Sequence, residues 1–343
     1  MKLLVYADLQ AHDGDERCFG DAGTSLQLYR VRKFFHDLYD VYTEHECDGL
    51  VDLGDTTDDR SSIPVPVIDA VLGGLERFPT SPWNFKIMGN HEQFVRDTSL
   101  DSGRLYGKFF EVFNRVEVRE SGSTVYVFAS YPDNHDQLTA RLAEILRAYK
   151  GHRKVLFGHF QAVGATMPTG EALTGVPKAI LNQFTVAMLG HIHLPQAVGK
   201  SIHYVGSPFQ QHWGEAGQPK RVGVLDLGTL TITWVPMDGY PQYRMVSLKE
   251  FEESFREDSE NRWKVRLANH AETEKFFQLP FSHRYEAIHE YTLETDPDVP
   301  AKEPTDWSLD ASLAHWVNLM PPKKGNIDLS AEELIAIGRQ LAS

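Results

Sequence analysis

The sequence predicts an α/β protein, a layered sandwich of two mixed β-sheets flanked by helices, followed by a small α+β segment and a helical tail. Three observations carry this. Short apolar runs alternate with amphipathic helical stretches through the first 230 residues. Residues 197–235 then turn all-β, with a hairpin signal at Leu227-Gly228. Composition shifts near Asp238-Gly239-Tyr240-Pro241, where proline and glycine mark a boundary.

Taken in order, Lys2–Ala7 is a short apolar run and reads as a buried strand. Ser25–Glu46 carries Leu28, Val31, Phe34, Phe35, Leu38, Val41 and Tyr42 at helical spacing, so a long amphipathic helix is expected. Asp48–Leu53 is the second strand, Val65–Arg77 a proline-flanked helix and Asn84–Met88 the third strand. Strands are expected at Arg115–Arg119, Thr124–Ser130, Lys154–Phe157 and Thr185–Leu189, with a helix over Gln137–Tyr149. The later strands are Ser201–Val205, Val222–Asp226 and Thr229–Val235. Beyond residue 238, Lys249–Arg256 reads as a helix, Trp263–Leu267 as a strand and Glu272–Phe277 as a helix. Glu294–Asp306 is rich in proline and acid and reads as a linker. Two helical patterns follow, Leu309–Met320 and Ser330–Leu341, the latter opened by a Ser330/Glu333 capping box. The expected division is therefore 1–238, 239–300 and 301–343.

The bulk properties narrow the function. Hydrophobic residues at 41% and charged residues at 24% are those of a globular chain. No apolar stretch reaches eighteen residues, so no transmembrane helix is expected, and a soluble, cytoplasmic protein is the default. Two cysteines, Cys18 and Cys47, make no disulfide framework and suit a reducing compartment. The net charge of −14 argues against binding nucleic acid by bulk charge alone. It leaves room for bound metal ions that reverse the sign locally, or for a basic partner.

Five short motifs stand at the ends of expected strands: Asp8-Leu9-Gln10; Gly54-Asp55 with Asp58; Gly89-Asn90-His91-Glu92; Gly158-His159; and Gly190-His191-Ile192-His193. A polar residue just past a strand's carboxyl end projects into the crevice where α/β sheets bind ligands. Carboxylate, amide and imidazole donors with no thiolate suit manganese, iron or zinc, and a carboxylate such as Asp55 can bridge two ions. The remaining histidines His36, His45, His135, His152, His203 and His270 read as structural or exposed.

This ordered set resembles the calcineurin-like metallophosphoesterases. Tyr204-Val205-Gly206-Ser207-Pro208 and Gly214-Glu215 resemble the stretch that follows the last histidines in the nuclease branch, the nearer match being the nuclease subunit of SbcCD-type double-strand-break repair complexes. The resemblance spans residues 8 to 215. It implies two divalent ions, Mn2+ first and Mg2+, Fe or Zn2+ otherwise. One would be held by Asp8, Gln10, Asp55 and His193, the other by Asp55, Asn90, His159 and His191. It implies His91 over the scissile phosphate, with Asp58 orienting His91 or a ligand. It further implies a DNA substrate, a DNA-selecting capping domain over 239–300, and a homodimer within a complex. The 301–343 segment would bind an SbcC-like ATPase, with Leu309, Leu313, Trp316, Val317 and Met320 forming one apolar face.

One departure stands out. The family has Asp-x-His in its first motif, and this chain has Asp8-Leu9-Gln10. Gln10 ligates through its amide oxygen, or His12 substitutes from the loop, or the first metal position is weak or empty. A phosphatase or small-molecule phosphodiesterase would share every one of these ligands. A binding subunit without full catalysis is the other alternative, with Gln10 as its only support.

Overall fold

The computed structural model describes residues 1–14, 25–94, 101–167, 173–255, 261–279 and 286–289. The expectations for Cys18, for the linker at 294–306 and for the helices at 309–320 and 330–341 lie outside the described residues. The chain divides into two units, Met1–Arg266 with Phe276–Ile288, and Leu267–Lys275 with His289–Ser343. The metal motifs all belong to the first.

The strands are β1 (Lys2–Tyr6), β2 (Gly49–Asp52), β3 (Phe85–Ile87), β4 (Glu111–Phe113), β5 (Glu117–Ser121), β6 (Thr124–Ala129), β7 (Arg153–His159), β8 (Val186–Gly190), β9 (Gln196–Ala197), β10 (Ile202–Tyr204), β11 (Arg221–Asp226), β12 (Thr231–Pro236), β13 (Tyr243–Ser247), β14 (Arg262–Leu267) and β15 (Glu286–His289). The helices are α1 (Leu26–Glu44), α2 (Val65–Leu75), α3 (His135–Ala148), α4 (Lys178–Leu181), α5 (Leu248–Ser254) and α6 (His270–Gln278). One six-stranded sheet runs β12-β11-β1-β2-β3-β4, a second β5-β6-β7-β8-β10-β9, and a smaller one β13-β14-β15.

Period-two alternation explains the layering. In β1, Leu3 and Val5 point into a core shared with Phe128, Phe157 and Met188 of the second sheet. Leu4 and Tyr6 point the other way and pack with Val31, Phe34, Phe35 and Leu38 of α1 and with Val67 and Val71 of α2. The second sheet repeats the arrangement, with Val125, Val127 and Leu156 against Leu138 and Leu142 of α3. Phe113 and Phe128 stack across the sandwich with ring centroids 4.0 Å apart. Sequence predicts continuous apolar strands and one-sided helices here because the sheets are covered on both faces.

Helix ends follow local chemistry. Ser25 caps α1 by accepting from the Leu28 N–H, and Asn134 caps α3 by accepting from Asp136 and Gln137. The Ser247/Glu250 capping box starts α5. Several expectations need correction. The strand expected at Arg115–Arg119 lies at Glu117–Ser121, paired with β6 in the register Val118↔Val127. β4, β9, β13 and α4 were not anticipated, being short or polar. The hairpin turn is longer than Leu227-Gly228, because the Asp226 carboxylate accepts from the N–H groups of Gly228 and Thr229, and Leu230 takes φ +58°.

β1, β2, β3 and β4 run parallel, as do β6, β7 and β8. Parallel strands present their carboxyl ends at one edge of their sheet. Asp8, Asp55 and Asn90 follow β1, β2 and β3, while His159 ends β7 and His191 follows β8.

Candidate metal centre

The loops after β1 and β2 interlock through backbone hydrogen bonds from Asp8 N to Gly54 O (3.0 Å) and from Gln10 N to Asp55 O (2.8 Å). Both carboxylates are buried, Asp8 at 0% and Asp55 at 1% exposure. Asp8 accepts from the His191 N–H at 2.9 and 3.1 Å, and Asp55 Oδ1 accepts from the His91 N–H at 2.9 Å. Asp55 Oδ2 lies 3.2 Å from His159 Nε2. Among the described residues, no lysine or arginine forms an ion pair with either carboxylate.

Asn90 joins the second and third histidine motifs. Its Oδ1 lies 2.8 Å from His191 Nδ1 and 3.3 Å from His159 Nε2. Donor atoms of Asp55, His159 and His191 all fall within 4.8 Å of one another. Ring orientation is fixed from behind. His159 Nδ1 donates to Leu53 O (2.7 Å), which leaves Nε2 facing Asp55. The Gln161 amide lies 3.1 Å from His191 Nε2, which leaves Nδ1 facing Asn90. His193 Nδ1 donates to Glu215 Oε1 (2.6 Å), which leaves Nε2 free.

The electrostatics follow from burial. Desolvation raises Asp8 to about 6. Burial also opposes charge on His159, but the adjacent Asp55 and Asp8 carboxylates outweigh it and hold the ring up at about 9. His191 is pushed down to about 3 by burial and then by the His159 charge. Burial opposes ionisation of Glu215, yet hydrogen bonding from His193 and the Lys220 charge hold its carboxyl at about 2. Two buried carboxylates beside buried or half-buried imidazoles and the Asn90 amide form a nitrogen- and oxygen-lined cluster, and this donor set fits divalent cations.

His91 stands apart from these donors. Its Nδ1 is anchored on the Asp58 main-chain carbonyl, with the Asp58 carboxylate 3.4 Å away. Its half-exposed ring borders a cleft of about 470 Å³ shared with Asp59, Arg60 and Asn90. Gln10 adopts φ +43°, and its side chain makes no hydrogen bond among the described residues. His12 borders a different cleft, of about 260 Å³, with Gln27, Arg30 and Gln211.

Other residues that shape the centre carried no assigned role in the sequence reading. Glu92 is fully buried beneath it: Oε2 accepts from the Asp55 and Gly89 N–H groups, and Oε1 from Thr56 N–H, each at 3.1 Å. Lys86 pairs with both Glu92 at 2.7 Å and Asp52 at 2.8 Å, all three side chains inaccessible to solvent. Tyr131 lies over the histidines, its ring centroid 5.2 Å from His191 and 6.2 Å from His159. Glu92 was visible as the last letter of its motif. The rest carry no signal, because each partner is remote in sequence.

No family model matches the chain, and no curated protein matches it. Among solved structures it is similar to a novel archaeal phosphodiesterase at 12% identity, covering 69% of this chain and 99% of that one with a TM-score of 0.35. It is similar to a dimetal phosphatase from Danio rerio at 13% identity, 69% and 99% coverage and a TM-score of 0.42. It is also similar to Vps29 from Chaetomium thermophilum at 12% identity, 68% and 95% coverage and a TM-score of 0.30. These TM-scores are low, and the site stands on its own geometry.

Proposed function

We propose that this chain is a metal-dependent phosphodiester hydrolase, and that its substrate is DNA. The observation that carries the hydrolase reading is the convergence of Asp8, Asp55, Asn90, His159 and His191 from five strand ends into one cluster, its two carboxylates buried, with Nε2 of His159 and Nδ1 of His191 turned toward Asp55 and Asn90. Asp8, Gln10, Asp55 and His193 would hold one ion, and Asp55, Asn90, His159 and His191 the other. Oxygen and imidazole donors without thiolate suit manganese, iron or zinc, and manganese is the ion proposed from the resemblance. Two such ions would supply Lewis acidity toward phosphoryl oxygens and an ionised water near neutral pH.

The chain's own groups do the remainder. His91, held through Nδ1 by the Asp58 carbonyl, can give a proton from Nε2 to the leaving oxygen when its ring is an imidazolium. Glu92 fixes the Asp55 and Gly89 amides, so the Asp55 carboxylate, which would hold the ions, is placed before substrate arrives. The nuclease reading rests on the resemblance of residues 204–208 and 214–215, together with their placement: Ser207 and Glu215 meet in one network around His193. As the nuclease subunit of an SbcCD-type complex, the chain would work with an SbcC-like ATPase bound by residues 301–343.

The test is hydrolysis by the full chain, loaded with Mn2+ after chelation, of linear duplex DNA and of p-nitrophenyl phosphate. Mn2+-dependent cleavage of DNA with little monoesterase activity is the expected result. Monoester turnover without DNA cleavage would replace the nuclease reading with a phosphatase. No Mn2+-dependent turnover of either would overturn the hydrolase.

A further inference from the structure

Glu215 lies in the short helical turn Trp213–Glu215 and has no solvent exposure. Each oxygen has a distinct task. Oε1 accepts from His193 Nδ1 at 2.6 Å and lies 3.3 Å from the exposed His212 Nε2. Oε2 accepts from Lys220 Nζ at 2.6 Å and from the Gln211 N–H at 3.0 Å. Lys220, itself buried, also donates to the His193 carbonyl at 3.0 Å, so it grips both the histidine's backbone and the carboxylate that holds its ring. The Gln211 amide reaches in the opposite direction and donates to Leu9 O at 3.0 Å, between Asp8 and Gln10. One strap, residues 207–220, thus ties the last histidine motif to the first carboxylate motif.

Those two motifs are the ones that would bracket the first ion, and the first of them carries an amide at position 10. A neutral amide oxygen is a weaker donor than imidazole to a borderline cation. A carboxylate on the far nitrogen of a histidine fixes its tautomer and raises the basicity of the near nitrogen.

We propose that Glu215, held in place by Lys220, is a positioning residue that locks His193 with Nε2 free and strengthens it as a ligand, offsetting the weak donor at Gln10. The proposal rests on the metal-hydrolase reading. It assigns the compensation to a second residue that would hold the same ion as Gln10, so the two positions would be energetically coupled.

The experiment is a calorimetric Mn2+ titration of the chelated full chain, with thermal unfolding and the ring nitrogen shifts of 15N-histidine-labelled, Zn2+-loaded protein measured alongside. For Glu215→Gln, one of the two ions should bind about 10–100-fold more weakly while the other keeps its affinity, and the His193 nitrogen shifts should move. Adding Gln10→His to Glu215→Gln should restore most of the lost affinity. Unchanged binding of both ions in Glu215→Gln overturns the proposal. So does equal weakening of both ions with a lowered unfolding temperature and no rescue by Gln10→His, since that is the behaviour of a structural residue. Failure of the unaltered chain to bind any ion removes the metal-centre reading itself, a result distinct from either.

Discussion

Asp8, Gln10, Asp55 and His191 take φ of +53°, +43°, +56° and +85°, and they are four of the six non-glycine residues with positive φ among the described residues. Such backbone costs about 1–3 kcal/mol at each position and persists where the surroundings over-determine it. Here the surroundings are the interlocked loops and the Glu92 carboxylate beneath them. Two residues separate cleanly in what their loss should do. Among the described residues the His91 ring bonds to no proposed metal donor; its backbone N–H donates to Asp55 Oδ1. His91→Gln should therefore lower DNA hydrolysis by about 10²–10⁴-fold while elemental analysis still finds two ions per chain. Asp55→Ala should lose both ions in the same analysis, since this carboxylate lies against His159 and is the proposed bridge. That Asp8, Asp55, Asn90, His159 and His191 would come together was legible because each follows or ends an apolar strand run. The residues behind them were not: Gln161, Tyr131 and Lys220 reach the centre only through contacts between distant segments.

At the scale of elements, the β2 and β3 ends are fastened to each other by a buried charge cluster. Lys86 on β3 pairs with Asp52 on β2 and with Glu92 beyond β3, and Asp52 also accepts from Tyr6 and Thr56 hydroxyls. Removing one member of a buried, hydrogen-bonded pair costs about 3–5 kcal/mol, because the remaining charge stays desolvated. Lys86→Met should lose about that much in urea unfolding, whereas Lys108→Met should lose under about 1 kcal/mol, since the Lys108–Glu76 pair is exposed. The glycine of the third motif has an equally definite role. A Cβ at Gly89 would come 2.0 Å from Asp55 Oδ1 and 2.6 Å from the Asp55 backbone nitrogen. Gly89→Ala should therefore displace the carboxylate and weaken Mn2+ binding at both positions, read by the same titration. Sequence marked these strands correctly, since short runs dominated by apolar residues, Leu50-Val51 in one and Phe85, Ile87 and Met88 in the other, lie between turns. It could not show that Lys86, in the middle of one, points into a charge cluster. Period-two patterning places a side chain on a face without naming what it meets there.

On the scale of the whole molecule, the two-sheet sandwich was the most legible feature, because burial on both faces writes itself into residue type. The 239–300 and 301–343 divisions were drawn from proline and charge, features that mark a boundary without specifying what packs on either side. The net charge of −14 sets the remaining expectation. A strongly acidic chain repels a polyanion, and its proposed site adds the buried carboxylates Asp8 and Asp55 at the point where a phosphate must approach. Two divalent ions would contribute four positive charges at that point, reversing the local field. DNA binding by the isolated chain should then depend on metal occupancy more than on ionic strength. The measurement is fluorescence anisotropy of a labelled duplex with His91→Gln, which leaves the duplex uncut. With Mn2+ present binding should be measurable at low salt, and chelation should abolish it. A protein that bound through a basic surface would behave in the opposite way, retaining DNA after chelation and releasing it as salt rises. That outcome would move the DNA-contacting surface away from the metal centre.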